Sequence, residues 1–387
     1  MFWTILGYID LALFIVMSLT VAYMGVFAIF SQFSRHSATP KSKRENRFII
    51  LIPAYRSGPS VLKTVKSILG QTYAQRLFDV TVISDHVDEM TNFQLAQQPV
   101  TLLTPNFEKS AKSKSLQLAI NNLPQFKIYD IVIILNAGNV VEPEFLAQMN
   151  EAYEAAGTKA IQSHRISYNR DTVSARLNAT FEEINNSVFR RGHIAVGLSA
   201  ALSDSGMAYS FNWFKENIKK IQVSTEDKEM EAMLARQHVY VDYFDNIYVY
   251  DEKSRLAEDF NREHTSWVKT QLRTILRNIQ YLPLAILNRQ YDLADKIVQW
   301  LLIPRMVLML TIMFMGVVVP FFYMSLAFKW WALFAVVLLI FAIATPNYLV
   351  DDKWDRTFFS IPLVLLNSVL KRFKLGKKLQ EHVNKLI

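Results

Sequence analysis

Long uncharged runs near both ends of the chain constrain its architecture most. The run 2–30 carries only one formal charge, at Asp10, and is longer than the roughly 20 residues that an α-helix needs to cross a bilayer. Near the other end, 306–328 and 330–350 are uncharged and are separated by Lys329. The pattern predicts three membrane-spanning helices, the last two forming a hairpin that turns at Lys329 and the two tryptophans after it.

The basic residues after the first run orient these helices. In 35–47, five lysines and arginines face one acid, and cytoplasmic flanks of membrane helices carry such an excess. Three crossings then return the basic tail to the same side, where it is expected either as an amphipathic helix on the bilayer or as a solvated segment. We therefore expect a multi-pass protein of the cell's inner (plasma) membrane with a cytoplasmic central region.

The composition excludes several other classes of protein. A hydrophobic share of 51% with 20% charged residues excludes disorder, and the lack of cysteine excludes disulfides, thiolate metal sites and cysteine nucleophiles. The net charge of +8 is compatible with nucleic-acid binding, but the aromatic content of 13% and the apolar runs indicate a membrane instead. We expect membrane lipids and no nucleic acid among the partners.

Short apolar runs alternate with helical stretches in the central region. The runs lie at 48–53, 80–85, 100–103 and 131–135. Their length and β-branched residues are typical of buried parallel strands, and the alternation predicts βαβ units. Because ligands bind at the carboxyl ends of such strands, 53–55, Asp85 and 136–139 are expected to meet in one crevice.

Seven short segments follow one another in an informative order. They are 52–55 (IPAY), 67–73 (SILGQTY), Asp85, 135–146 (LNAGNVVEPEFL), 205–209 (SGMAY), 224–227 (STED) and 260–267 (FNREHTSW). This order resembles that of membrane-anchored family 2 glycosyltransferases of the processive polysaccharide synthase type. The resemblance implies an α/β GT-A fold, a Rossmann-like nucleotide-diphospho-sugar transferase domain. An N-terminal transmembrane helix, interface helices and a C-terminal transmembrane hairpin accompany it.

The resemblance also implies the ligands and the residues that bind them. The donor is a nucleotide sugar, with a UDP-sugar preferred, and the acceptor is a glycan or a lipid-linked molecule. The residues implied for the donor are Pro53, Ala54, Tyr55, Asp85, Lys114, Asn136 and Asn139. Those implied for the acceptor are Ser205, Gly206, Met207 and Trp267.

An inverting transfer needs a carboxylate that deprotonates the acceptor hydroxyl. The resemblance assigns this general base to Asp227 and gives Glu226 a supporting role in the same loop. The local sequence alone favours an ordinary helix N-cap at Asp227, because a helical run follows at 230–234. The order of the motifs favours the base.

Two motifs depart from the family pattern. Asn136 and Gly138 stand where the family carries metal-binding aspartates, and Glu263 and Ser266 stand where it carries glutamine and arginine. Magnesium or manganese is the cofactor that the family implies, but an amide and a glycine are poor ligands, so the metal residues stay unassigned. A catalytically silent relative that serves a membrane partner subunit remains an alternative, as does a protein that binds lipid headgroups or nucleotides without transferring a sugar.

The chain divides into six expected regions. They are a transmembrane helix (1–34), a basic linker (35–47), the GT-A domain (48–262), amphipathic interface helices (263–299), the transmembrane hairpin (300–350) and the basic tail (351–387). Within the interface helices, Leu272, Ile275, Leu276 and Ile279 are expected on one apolar face.

Overall fold

The first apolar run folds into a single long helix, α1 (Phe2–Phe30), as its length and lack of charge predict. This computed structural model describes residues 2–34, 39–221, 226–252 and 271–350, without the side chains of 2–5 and of Glu226. The predicted basic tail and the segment 260–267, including Trp267, lie outside the described residues.

The central region contains one eight-stranded sheet in the order β3-β2-β1-β4-β7-β6-β8-β5. The strands are β1 (Phe48–Tyr55), β2 (Phe78–Asp85), β3 (Thr101–Leu103), β4 (Ile131–Ile134), β5 (Val140–Val141), β6 (Ala160–Ser167), β7 (Met207–Ser210) and β8 (Val241–Asp251). The four strands predicted from sequence are confirmed and pair in parallel, β3 with β2, β2 with β1 and β1 with β4. Strand β7 runs antiparallel between β4 and β6 and completes the mixed sheet.

Helices cover both faces of the sheet. They are α2 (Ser60–Leu69), α3 (Glu89–Ala96), α4 (Lys112–Asn121), α5 (Phe145–Ala156), α6 (Val173–Asn185), α7 (Gly192–Ala195), α8 (Phe211–Asn217) and α9 (Glu226–Arg236). Because side chains alternate along a strand, Ile50 and Ile52 of β1 pack with α2 and α5, whereas Ile49 and Leu51 pack with α4, α8 and α9. The result is the three-layer α/β/α domain that the alternating pattern predicts.

The last part of the described chain is entirely helical. It contains α10 (271–278), α11 (Leu282–Leu287), α12 (Tyr291–Leu301), α13 (Arg305–Val318) and α14 (Met324–Ala344). Within the described residues, Leu6–Phe30 and Met324–Ala344 are long and apolar enough to span a bilayer. A third span is possible if α12 and α13, which are bent by 51° at 302–304, cross together.

The predicted hairpin turn at Lys329 is wrong. Helix α14 runs through Lys329 and its two tryptophans, and the turn lies earlier, at 319–323. The Lys329 ammonium forms an ion pair with Asp10 of α1, and the Trp330 indole N–H donates to the same carboxylate at 2.9 Å. Since its charge is compensated within the helix bundle, Lys329 need not lie at a helix end.

Helix α1 also packs directly against the α/β domain. A Cβ atom on Gly192, at the start of α7, would lie 2.2 Å from the Phe27 carbonyl oxygen, so only glycine permits this approach. Next to it, the Tyr23 hydroxyl donates to Asp295 of α12 at 2.6 Å and lies 2.9 Å from Nε2 of the buried His193. The membrane helix and the α/β domain therefore share one packed interface.

We expect Asp10→Ala to destabilise the helix bundle, because Lys329 would keep its charge in an apolar environment without a partner. The expected loss is about 2–3 kcal/mol, the cost of an unpaired lysine at membrane depth. Thermal unfolding of the detergent-purified chain measures it. The double variant Asp10→Ala/Lys329→Met should recover most of the stability, and equal instability of both variants would contradict the pairing.

Candidate active site

Two residues that are expected to line the donor crevice, Tyr55 and Asp85, lie at the carboxyl ends of β1 and β2. Tyr55 and Asp85 are paired in register, and the Arg56 amide donates to the Asp85 carbonyl at 3.1 Å. The Asp85 carboxylate is buried and accepts a hydrogen bond from Nδ1 of His86 at 2.6 Å. The Tyr55 ring is half exposed, so the crevice offers a flat aromatic surface beside an oriented carboxylate. Pro53 is partly buried and Ala54 fully buried beneath it.

The loop after β4 forms the next wall of the crevice. Asn139 is buried, accepts the Asn136 amide at 2.9 Å and donates to Asp251 at 2.9 Å. Gly138 adopts φ +98°, a conformation that favours glycine, and its amide donates to Thr64 at 2.8 Å. Asn139 thus fixes the loop, whereas the partly exposed Asn136 turns its side chain towards Asp204.

Asp204 is the carboxylate closest to the altered metal motif. It accepts a hydrogen bond from the Asn136 side-chain amide and lies 2.8 Å from the Lys112 ammonium and 4.0 Å from the Arg165 guanidinium. Burial opposes its ionisation, but Lys112 and Arg165 outweigh burial and hold the pKa of Asp204 below its usual range. The side chain is half exposed, so this charged cluster borders open space.

The loop that carries Asp204 is held rigidly. Gly206 adopts φ +75°, and a Cβ there would lie 2.2 Å from the Ser163 hydroxyl. Its amide donates to the Ile134 carbonyl at 2.9 Å, while Ser205 and Met207 are buried on either side. The predicted acceptor role of 205–207 stays a prediction, and within the loop the half-exposed side chain is that of Asp204.

The two lysines of α4 point to different partners. Lys112 contacts Asp204, whereas the Lys114 ammonium donates to the Lys109 carbonyl at 2.8 Å and lies 5.8 Å from the centre of the Phe107 ring. The predicted donor contact of Lys114 stays a prediction. Lys112 is the lysine of this helix that reaches the Asp204 cluster.

A cavity of ≈ 240 Å³ extends from Asp204 to the membrane helices. It lies between the α/β domain, α1 and the bend between α12 and α13. The polar and charged side chains in its wall are Arg165, Glu182, Asn185, Arg190, Ser203, Asp204, Asp227, Lys228, Gln271, Gln299 and Arg305. Met24, Leu302 and Ile303 add apolar surface on the membrane side. The cavity can therefore accommodate a ligand that has both charged and apolar parts.

Asp227 lies in the first turn of α9 and borders this cavity. Burial raises the pKa of its carboxyl group, and the charges of Asp204 and Glu231 act in the same direction against the opposing Lys228 and Lys112. A carboxylate whose pKa is raised towards neutrality is suited to accept a proton. Glu226 precedes it on the same helix, with its side chain outside the described part of the chain.

Glu231 was not predicted from the sequence, yet it is a buried acid with four partners close to the cavity. Its carboxylate lies 2.9 Å from Lys228 and 3.6 Å from Lys296, and it accepts hydrogen bonds from the Trp300 indole and the Leu202 amide. Burial opposes its ionisation, but the two lysines prevail and lower its pKa to about 2. The spacing of Lys228 and Glu231, three residues apart on α9, is the one local signal of this cluster.

Two arginines in the wall of this cavity, Arg165 and Arg190, pair with the same acid, Glu182. Glu182 of α6 lies 3.0 Å from Arg190 and 3.4 Å from Arg165. Arg190 belongs to a π-helical turn, Asn186–Arg191, that widens the helix between α6 and α7. Such turns are frequent at functional sites. The cavity therefore carries cations on two sides of Asp227.

The residues present fit a divalent metal poorly. Among the residues that the structure describes, no group of three or more histidines, cysteines and acids lies close enough to hold one. At the altered motif, Gly138 has no side chain, and the Asp204 carboxylate is already bonded to Lys112 and Asn136. The cations that the structure describes beside Asp204 are Lys112 and Arg165.

Replacing Glu231 by glutamine should destabilise the fold by about 3–5 kcal/mol at neutral pH, because Lys228 and Lys296 lose their shared counter-charge. Since folding lowers the pKa of Glu231 from 4.5 to about 2, its contribution is present above pH 4.5 and is lost as the pH falls towards 2. The melting temperatures of the two proteins should therefore converge only below about pH 4.5. A constant difference down to pH 3 would contradict this role.

Comparison with known proteins identifies the family and the fold. The family model "Glycosyltransferase like family 2" matches residues 46–270. The mannosyltransferase PcManGT from Pyrobaculum calidifontis, solved with GDP-Man and Mn²⁺, has 12% identity and a TM-score of 0.51 over 84% of this chain and 97% of its own.

Staphylococcus aureus TarS 1–349 in complex with UDP-GlcNAc has 14% identity and a TM-score of 0.41 over 88% of this chain and 92% of its own. No curated protein matches the sequence. Because the family model covers more than half of the chain, the protein belongs to glycosyltransferase like family 2, and it combines a GT-A sugar-transferase domain with apolar helices suited to membrane anchoring.

Proposed function

We propose that the protein transfers a sugar from a UDP-sugar to a glycan or lipid-linked acceptor, with inversion at the anomeric carbon and Asp227 as general base. One observation carries the proposal: Asp227, with its raised pKa, shares a cavity with Asp204, which is bonded to the loop at the strand ends. Asp204 thus connects the loop at the strand ends with the cavity that Asp227 borders.

In this reaction the acceptor hydroxyl oxygen bonds to the anomeric carbon of the donor. The bond between that carbon and the diphosphate oxygen breaks, and its electron pair leaves with UDP. The hydroxyl proton passes to the Asp227 carboxylate. Because Asp227 is partly accessible and lies beside the cavity, an acceptor entering from the membrane side meets it directly.

The leaving diphosphate needs positive charge, and we propose that Lys112 and Arg165 supply it without a divalent metal. Both contact Asp204 next to Asn136, where the family pattern has its metal ligands. A fixed ammonium and a guanidinium can each form charge-assisted hydrogen bonds to phosphate oxygens. The cation pair would then compensate for the lost aspartates at 136 and 138.

The proposed site faces the cytoplasm. The C-terminal end of α1 packs on the α/β domain at Gly192, and the basic linker follows that same end of the helix. The excess of lysine and arginine in the linker places this side inside by the positive-inside rule. The protein is accordingly proposed for the inner (plasma) membrane.

A catalytically silent subunit is the second candidate. It is favoured by the neutral Asn136 and Gly138 and by the ion pairs that Lys112 and Arg165 form with Asp204 and Asp251. In that case the crevice would serve a membrane partner rather than a nucleotide. Nucleotide binding separates the two candidates.

Asp227→Asn should lower kcat by about 100-fold or more, because the amide cannot accept the proton, while the Kd for UDP stays within about threefold. Release of UDP with a panel of UDP-sugars and lipid or glycan acceptors measures the rate. Glu216→Gln, at an exposed acid of α8, is the matched control and should keep the wild-type rate. Full activity of the Asp227 variant would remove this residue as base.

Lys112→Gln should raise the Kd for UDP by about tenfold, because one charge-assisted hydrogen bond to phosphate is lost. EDTA should leave the binding of UDP to the wild-type protein unchanged. Titration of the purified protein with UDP tests both effects, and Lys219→Gln, at an exposed lysine, is the control. Loss of binding in EDTA would show that a metal is needed. Failure to bind any nucleoside diphosphate would favour the silent subunit.

A further inference from the structure

A second cavity, of ≈ 210 Å³, lies between α9 and α10. Five cations line it, Lys220, Lys228, Arg236, Arg273 and Arg277, together with a single acid, Glu229. The ammonium of Lys228 is already paired with Glu231, at 2.9 Å. Arg277 pairs with Glu229, so the wall retains an excess of positive charge that suits an anion.

Two polar groups of α10 in this cavity lack partners among the described residues. The Asn278 side chain is 4% exposed, and its Nδ2 donates to the Thr274 carbonyl at 2.8 Å, which leaves Oδ1 as an unused buried acceptor. Arg273 is exposed and forms no hydrogen bond or ion pair within the described ranges. A buried acceptor without a donor is costly, so its presence indicates a ligand that donates a hydrogen bond.

The surface around this cavity is apolar. Leu272 and Leu276, one turn apart on α10, are 56% and 76% exposed, and Leu284 and Leu287 of the adjacent α11 are 57% and 79% exposed. These helices lead into the bent pair α12–α13, which continues into the apolar bundle with α1 and α14. Exposed leucines flanked by arginines, next to membrane helices, are typical of a surface that lies in the headgroup region of a bilayer.

We propose that this cavity binds the headgroup of an anionic phospholipid. The phosphate is held by Arg273 and the neighbouring cations, a headgroup hydroxyl donates to Oδ1 of Asn278, and the acyl chains lie along the exposed leucines of α10 and α11. Helix α9, which carries Asp227, also supplies Lys228 and Glu229 to the wall of this cavity. A bound headgroup therefore fixes the position of α9 relative to the membrane. The proposal concerns binding and is independent of sugar transfer.

The test uses the full-length protein in a nonionic detergent and follows its melting temperature during titration with short-chain phosphatidylglycerol. Phosphatidylglycerol should raise the melting temperature in a saturable manner. Phosphatidylcholine, which is zwitterionic and lacks a headgroup donor, should bind with an apparent Kd about fivefold higher. Arg273→Gln should raise the apparent Kd for phosphatidylglycerol by about tenfold. Arg289→Gln, at an exposed arginine outside the cavity, should leave it unchanged.

The remaining comparisons identify the source of the phosphate and the role of the orphan acceptor. Inorganic phosphate at equal concentration should give a much smaller shift, and an equal shift would overturn the lipid in favour of a free anion. Asn278→Ala should reduce the preference for phosphatidylglycerol over phosphatidylcholine to the part that comes from charge, even if its basal stability changes. Equal effects of Arg273→Gln and Arg289→Gln would overturn the site.

Discussion

The buried Glu231 carboxylate joins the parts of the protein that the site requires. It contacts Lys228 on its own helix, Lys296 and Trp300 on α12 and the Leu202 amide in the loop that carries Asp204. A buried carboxylate is tolerated only with such compensation, and compensation from three elements restricts how they can move. Asp227, four residues earlier on α9, is thereby fixed relative to both Asp204 and the membrane helices.

The interface with the membrane follows the same physical rule. Two polar contacts join elements that are distant in sequence. One pairs Asp10 with Lys329, and the other joins Asp295 to Tyr23 and His193. Few other partners could satisfy these charged or polar groups. Apolar helix faces pack in many registers, whereas an unpaired charge or buried hydroxyl excludes most of them. The polar contacts therefore specify how α1 is placed between the α/β domain and α14.

The sequence predicted the features that arise from local patterns. The parallel strands follow from β-branched runs, and α1 follows from a long apolar run with Asp10 as its one formal charge. The continuation of α14 through Lys329 could not be predicted. The counter-charge that allows this lysine to stay within a helix comes from Asp10, which is far away in the chain. The role of Glu231 was not predicted for the same reason. Two of its partners, Lys296 and Trp300, are distant in sequence and approach it only in the folded protein.

Under the proposed function, side-chain cations supply the charge that a metal supplies in the family pattern. A divalent cation held by two carboxylates leaves the site near neutrality. The two cations Lys112 and Arg165 are likewise balanced by two acids, Asp204 and Asp251, the latter 3.2 Å from Arg165. Lys112 comes from α4, Arg165 from β6 and Asp204 from the loop before β7. Three separate elements thus carry the altered charge, and no local motif reveals it. The substitutions at 136 and 138 are better understood together with these distant cations than as isolated losses.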